Sequence, residues 1–87
     1  MKKFNIQFNG GDTITVETTS AREAAHIARK QGKELMKHNN QSSMYWIWDE
    51  EEENLLYSVH TFKVDNRIVT AISNCQNKNL NNFVWKS

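Results

Sequence analysis

Apolar residues alternate with polar ones at Phe4, Ile6 and Phe8 and, after Asn9-Gly10-Gly11-Asp12, again at Ile14 and Val16 between Thr13, Thr15 and Glu17. A period of two broken by Asn and Gly predicts a hairpin with one wet face. The period then lengthens. Ala21, Ala24, Ala25, Ala28, Gly32 and Leu35 recur at helical spacing, and Ile27 and Met36 widen the stripe. Ser20-Ala21-Arg22-Glu23 is a capping box: the Ser20 hydroxyl accepts from the Glu23 amide while the Glu23 carboxylate reaches back. Asn39-Asn40 is the stop. Such small residues let the helix lie close to a sheet. Gly32 costs about 1 kcal/mol relative to Ala in a helix interior, so it marks a close contact or fraying.

Met44-Tyr45-Trp46-Ile47-Trp48 is apolar on both faces and reads as a strand, with Leu55 to Val64 as its partner across a connection at Glu50 to Asn54. Asp65-Asn66 is a tight turn, and Arg67 to Ser73 is a further antiparallel strand. Residues 74 to 82, rich in Asn, read as a loop. Phe83-Val84-Trp85 reads as a short edge strand. The prediction is one α+β domain over residues 1–87, of order β-β-α-β-β-β. It has an antiparallel sheet of five strands, six with the edge strand, and one amphipathic helix packed on one face. Trp46 and Trp48 share a strand face with Met44, and at least one of the two is expected in the core.

Chain direction places the charges. If the helix runs antiparallel to the strand after it, the connection at 49–53 lies at the helix N-terminal end. Both tight turns then lie at the other end, with Lys33 and Lys37. Arg22, His26, Arg29, Lys33 and Lys37 keep within about one quadrant of the helix, with Lys30 beside them.

The net charge of the 87 residues is +1, which conceals an uneven distribution. Residues 1–48 hold seven Lys/Arg against four acids, and residues 49–87 hold four against six. A uniformly basic surface for sequence-independent nucleic-acid binding is absent. Asp49, Glu50, Glu51, Glu52 and Glu53 make half of all the acid in one run. Unit charges about 4 Å apart repel by roughly 1 kcal/mol even in water, so a partner or solvent must accommodate them. The run lacks the alternating ligands and Gly of a calcium loop.

Cys75 is the single cysteine, which favours a reducing, cytoplasmic setting. The start of the chain never builds the apolar stretch of a signal peptide, and the longest apolar run, 44–48, is too short for a bilayer. His38, His60 and Cys75 have zinc-ligand chemistry without the short paired spacing of a zinc motif, so no metal or cofactor is assigned. Neither a nucleophile with its base nor a Gly-rich phosphate loop is present, and no enzymatic activity is expected.

Eleven asparagines and no proline suggest an A/T-rich coding sequence, as in a low-G+C bacterium or its mobile elements. The opening Lys3-Phe4-Asn5-Ile6-Gln7-Phe8, the Gly-Gly turn, Thr15-Val16-Glu17 and Thr19-Ser20-Ala21-Arg22-Glu23-Ala24-Ala25-His26-Ile27-Ala28 together resemble the start of small phage-encoded proteins, some anti-CRISPR proteins among them. The resemblance covers the first third of the chain. It implies a non-enzymatic inhibitor that binds a CRISPR effector nuclease, or another host protein with a basic nucleic-acid-binding groove, and blocks DNA access. The charge pattern assigns that contact to Asp49 and Glu50 to Glu53, with Trp48 or Tyr57 as an aromatic anchor. A second reading makes the chain a nucleic-acid-binding accessory protein acting through Arg22, Arg29, Lys30, Lys33 and Lys37. A third joins the two charged surfaces in a homo-oligomer, a homodimer in its simplest form.

Overall fold

The computed structural model describes residues 1–75 and the backbone of 83–86. The elements are β1 (Lys2–Phe8), β2 (Thr13–Thr18), α1 (Ala21–Asn39), β3 (Ser43–Trp48), β4 (Leu55–Val64), β5 (Arg67–Asn74) and β6 (Phe83–Lys86). Every neighbouring pair is antiparallel, in the sheet order β2-β1-β3-β4-β5-β6. This is the expected α+β fold, with Phe83–Lys86 supplying the sixth strand. Residues 76–82, the expected loop apart from Asn74 and Cys75, lie outside the described residues.

Two short hairpins follow from residues that tolerate positive φ. Asn9 and Gly10 take φ of 47° and 75°, and the Gly11 amide donates to the Phe8 carbonyl at 2.7 Å. Asp65 and Asn66 take 51° and 64° between the paired Val64 and Arg67. Positive φ at both central residues matches the right-handed strand twist, and Asn, Asp and Gly adopt it most readily. The helix ends are equally legible. The Ser20 hydroxyl accepts from the Glu23 amide at 3.2 Å, and Asn40 closes the last turn in the left-handed region with its amide on the Met36 carbonyl. Lys63 Nζ donates to Asn40 Oδ1 at 2.8 Å and ties that end of the helix to the end of β4.

The core forms where the Ala stripe meets the sheet. Ala24, Ala25 and Ala28 pack with Phe4, Ile6, Tyr45, Ile47, Val59 and Ile72 in one buried cluster. Gly32 marks the close contact. A Cβ on Gly32 would lie 2.5 Å from Thr61 Oγ1 and 2.9 Å from Ser43 Oγ, so the helix backbone rests on a row of hydroxyls. Thr61 pairs across the sheet with Ser43 on one side and Thr70 on the other, and its Oγ1 lies 3.4 Å from that of Thr70. With Gly32 over Ser43 and Asn40 beside Lys63, the helix runs antiparallel to β3. The 49–53 loop therefore lies at the helix N-terminal end and both tight turns at the other.

The tryptophan expectation is corrected. Tyr45 and Ile47 are the β3 residues buried beneath the helix, whereas Trp46 and Trp48 are only half-buried and lie on the opposite face. Pairing decides this phase. Ile47 stands opposite Ile6 and Tyr45 opposite Phe8, which puts them on the apolar side of the first hairpin. No helix among the described residues is long and apolar enough to cross a membrane.

Candidate functional site

Trp48 and Leu55 form the last pair of β3 and β4, just past a register shift between Ile47 and Trp48. The chain between them reverses through Asp49, the single Asp of the acidic run. Its amide donates to the Asn54 carbonyl at 3.1 Å, and its own carbonyl accepts from the Glu52 amide at 3.0 Å. One carboxylate oxygen accepts from the Glu53 amide at 2.8 Å and the other from Asn54 Nδ2 at 2.7 Å. Asp49 is thus the internal brace of the loop, and Glu50 to Glu53 are left exposed around it. Among the described residues, none of these four glutamates has a cation within 4.0 Å.

The brace is charge-dependent. The hydrogen bond from Asn54 is the main reason the Asp49 carboxyl is held below its ordinary value; partial desolvation opposes it, and the main-chain donors of Glu53, Asn54 and Glu52 reinforce it. A carboxylate whose folded pKa is depressed contributes its full stabilisation above the ordinary Asp range and loses it as pH falls through the lowered value. In an NMR titration the Asp49 carboxyl carbon is expected to change below the ordinary Asp value, with the Glu53 amide shifting in step. Asp49→Ala is expected to speed hydrogen exchange at Glu53. Exchange unchanged by this substitution would show that the brace is not formed.

The loop is also tethered sideways. Asn5 Nδ2 donates to the Glu50 carbonyl at 3.2 Å, and Asn5 Oδ1 accepts from the Thr15 hydroxyl at 2.7 Å, so the tip leans on the outer face of the first hairpin. Trp48 lies on the same face with its Nε1 donating to Gln7 Oε1 at 3.0 Å. Trp46 lies against Gly10, where an added Cβ would come 3.4 Å from its ring. Met44 and Trp46 stand beside His60 and Ser58 of β4, and the His60 and Phe62 rings lie 4.8 Å apart. No helix or strand among the described residues packs over this aromatic face.

The two expected anchors separate. Trp48 adjoins the tip on the outer face, while Tyr57 pairs with Ile47 and packs against the core under the helix. The basic stripe is presented unevenly: Arg22, Lys30 and Lys37 are exposed, but Arg29 and Lys33 are half-buried. Long cationic side chains commonly lay their stems on apolar surface in this way. The zinc-type residues are dispersed. His38 is paired with Glu34 at 2.9 Å on the last helical turns, His60 sits in mid-β4, and Cys75 follows β5 with its amide on the Leu56 carbonyl. No three His, Cys, Asp or Glu side chains among the described residues group as a metal site.

Sequence reasoning missed a groove. Because the helix rests over β3 and β4, the helix-side face of β1 and β2 is left partly open, forming a cleft of ≈ 670 Å3 floored by Ile6, Phe8, Ile14 and Tyr45 and walled by Leu35 and Lys30. Ile14 remains 47% exposed there. Burial raises the Tyr45 hydroxyl above its ordinary pKa. The available signal was length: one helix cannot cover every strand of a six-stranded sheet. Compared with protein-family models, curated proteins and solved structures, the chain matches none of them.

Proposed function

We propose that the chain is a small, non-enzymatic binding protein that docks its acidic tip into a basic, nucleic-acid-binding groove of another protein and blocks access to DNA. The observation that carries this reading is the built tip: Asp49 braces the loop from within, so Glu50 to Glu53 project into solvent with no cation beside them among the described residues. Their mutual repulsion, roughly 1 kcal/mol per close pair in water, is relieved when Arg or Lys evolved for phosphates meets the carboxylates. Trp48 lies at the base of the tip on an uncovered face and is the aromatic anchor in this reading.

The resemblance to anti-CRISPR-type phage proteins makes a CRISPR effector nuclease the first partner to try. Such an encounter belongs in a bacterial cytoplasm, where the free Cys75 stays reduced. Direct nucleic-acid binding is the weaker reading, because half-burial of Arg29 and Lys33 leaves Arg22, Lys30 and Lys37 as its fully presented cations.

The test is DNA cleavage by a panel of purified CRISPR effector nucleases. Wild type is expected to inhibit at least one of them, and a chain with Glu50 to Glu53 all replaced by Lys is expected to keep its circular dichroism and lose inhibition. Inhibition that survives the reversal, or no inhibition by wild type, would sink the reading.

A further inference from the structure

β2 is an edge strand, and the first hairpin reveals which of its backbone groups are unused. The Phe8 amide donates to the Asp12 carbonyl inside the hairpin, whereas the Asn9 amide donates to the Met44 carbonyl on the far side. Even-numbered β1 residues therefore bond β2 and odd-numbered ones bond β3. Ile14 stands opposite Ile6 and Val16 opposite Phe4, so these two residues spend their N–H and C=O groups on β1. Antiparallel ladders alternate in this respect, which leaves the amides and carbonyls of Thr13, Thr15 and Glu17 pointing away from the sheet.

Natural edges are normally blunted by Lys, Pro, a bulge or a covering element. β2 is Thr13-Ile14-Thr15-Val16-Glu17-Thr18, paired without a register break and containing neither Lys nor Pro. It also carries Ile14, 47% exposed, at the margin of the open groove. Apart from the charge of Glu17 the strand carries none of these devices, and it has an apolar residue beside it.

We propose that two copies of this chain pair β2 to β2, antiparallel, on a two-fold axis through Thr15. That register alone uses all the outward groups: Thr15 faces Thr15 of the second copy, and Thr13 faces Glu17. It sets Ile14 opposite Val16 of the second copy, twice, on the helix side of the joined sheet. A two-fold axis at Glu17 would oppose like charges and leave Thr13 unpaired. An axis at Ile14 pairs Thr13 with Thr15 and leaves Glu17 without a β2 partner, and an axis at Val16 pairs Thr15 with Glu17 and leaves Thr13 without one. The strand is therefore self-complementary in hydrogen bonds and apolar contact and sets no like charges opposite each other, which selects a second copy over a foreign strand. The continuous sheet also joins the two apolar grooves across the axis.

The experiment is sedimentation of the full chain over the micromolar range, with the mass expected to double from 10.2 kDa. Thr15→Pro removes an amide that β1 does not use. Proline is tolerated at such edge positions, so this variant is expected to keep its circular dichroism and sediment as a monomer. Cross-linking fixes the register independently of that variant. In a Cys75→Ser background, Thr15→Cys is expected to form an interchain disulfide on oxidation, since facing Cα atoms in a bonded pair lie about 5.5 Å apart. Thr13→Cys is expected not to. A monomeric wild type, a folded Thr15→Pro chain that still dimerises, or disulfide formation at 13 in place of 15 would each overturn the proposal.

Discussion

Ile47→Ala is expected to lower the unfolding free energy by about 2–5 kcal/mol, the range for truncating a large aliphatic side chain in a core that relaxes only partly. Ile47 is fully buried between the helix and the sheet, opposite Ile6 on one side and Tyr57 on the other. The neighbouring Ala24, Ala25 and Ala28 have no side-chain reach with which to fill the vacated space. A domain of this size has roughly 4–13 kcal/mol of stability in all, so the variant forfeits a large part of it. Urea denaturation reads this directly, as a lower midpoint with an unchanged slope. A loss below about 1 kcal/mol would place Ile47 outside the well-packed core.

Gly32→Ala is expected to destabilise by about 1–3 kcal/mol through overpacking, even though alanine gains about 1 kcal/mol over glycine in a helix interior. The added Cβ falls 2.5 Å from Thr61 Oγ1 and 3.1 Å from Thr61 Cβ, and Thr61 is itself fully buried, so neither partner can step aside cheaply. Thr61→Ala in the same chain removes the nearest atom. The double variant is therefore expected to lose less than the sum of the two single losses, by about 0.5–3 kcal/mol of coupling. Strict additivity in the cycle would show that the helix has moved off the hydroxyl row.

How far the sequence predicted these features depends on how local each cause is. The first hairpin, the Ser20 cap, the Asn40 stop and the Asp65-Asn66 turn are set by residues within a few positions of one another, and the sequence reads them correctly. The strand 44–48 is apolar on both faces, so its phase was undetermined until Tyr45 met Phe8 and Ile47 met Ile6 across the sheet. That long-range pairing sent both tryptophans to the uncovered side. At the tip, charge drew attention to all five acids alike. The one Asp among them, followed by Asn54, was a turn signal of the Asx kind that separates the brace from the projecting glutamates. The groove had no local signature, because it arises from where the helix comes to rest on the sheet.

Backbone conformation at the tip adds a consequence for the chemistry of the site. Six described residues have φ in the left-handed region: Asn9, Gly10, Asn40, Asp65 and Asn66, and Glu52 at 57°. The first five are residue types that adopt this region easily, whereas a longer side chain meets a steric cost there of roughly 1–2 kcal/mol. At Glu52, glycine or asparagine would ease the turn but would also remove a charge. The chain keeps the carboxylate against its own conformational preference, so the tip gives up stability that glycine or asparagine at the same position would retain.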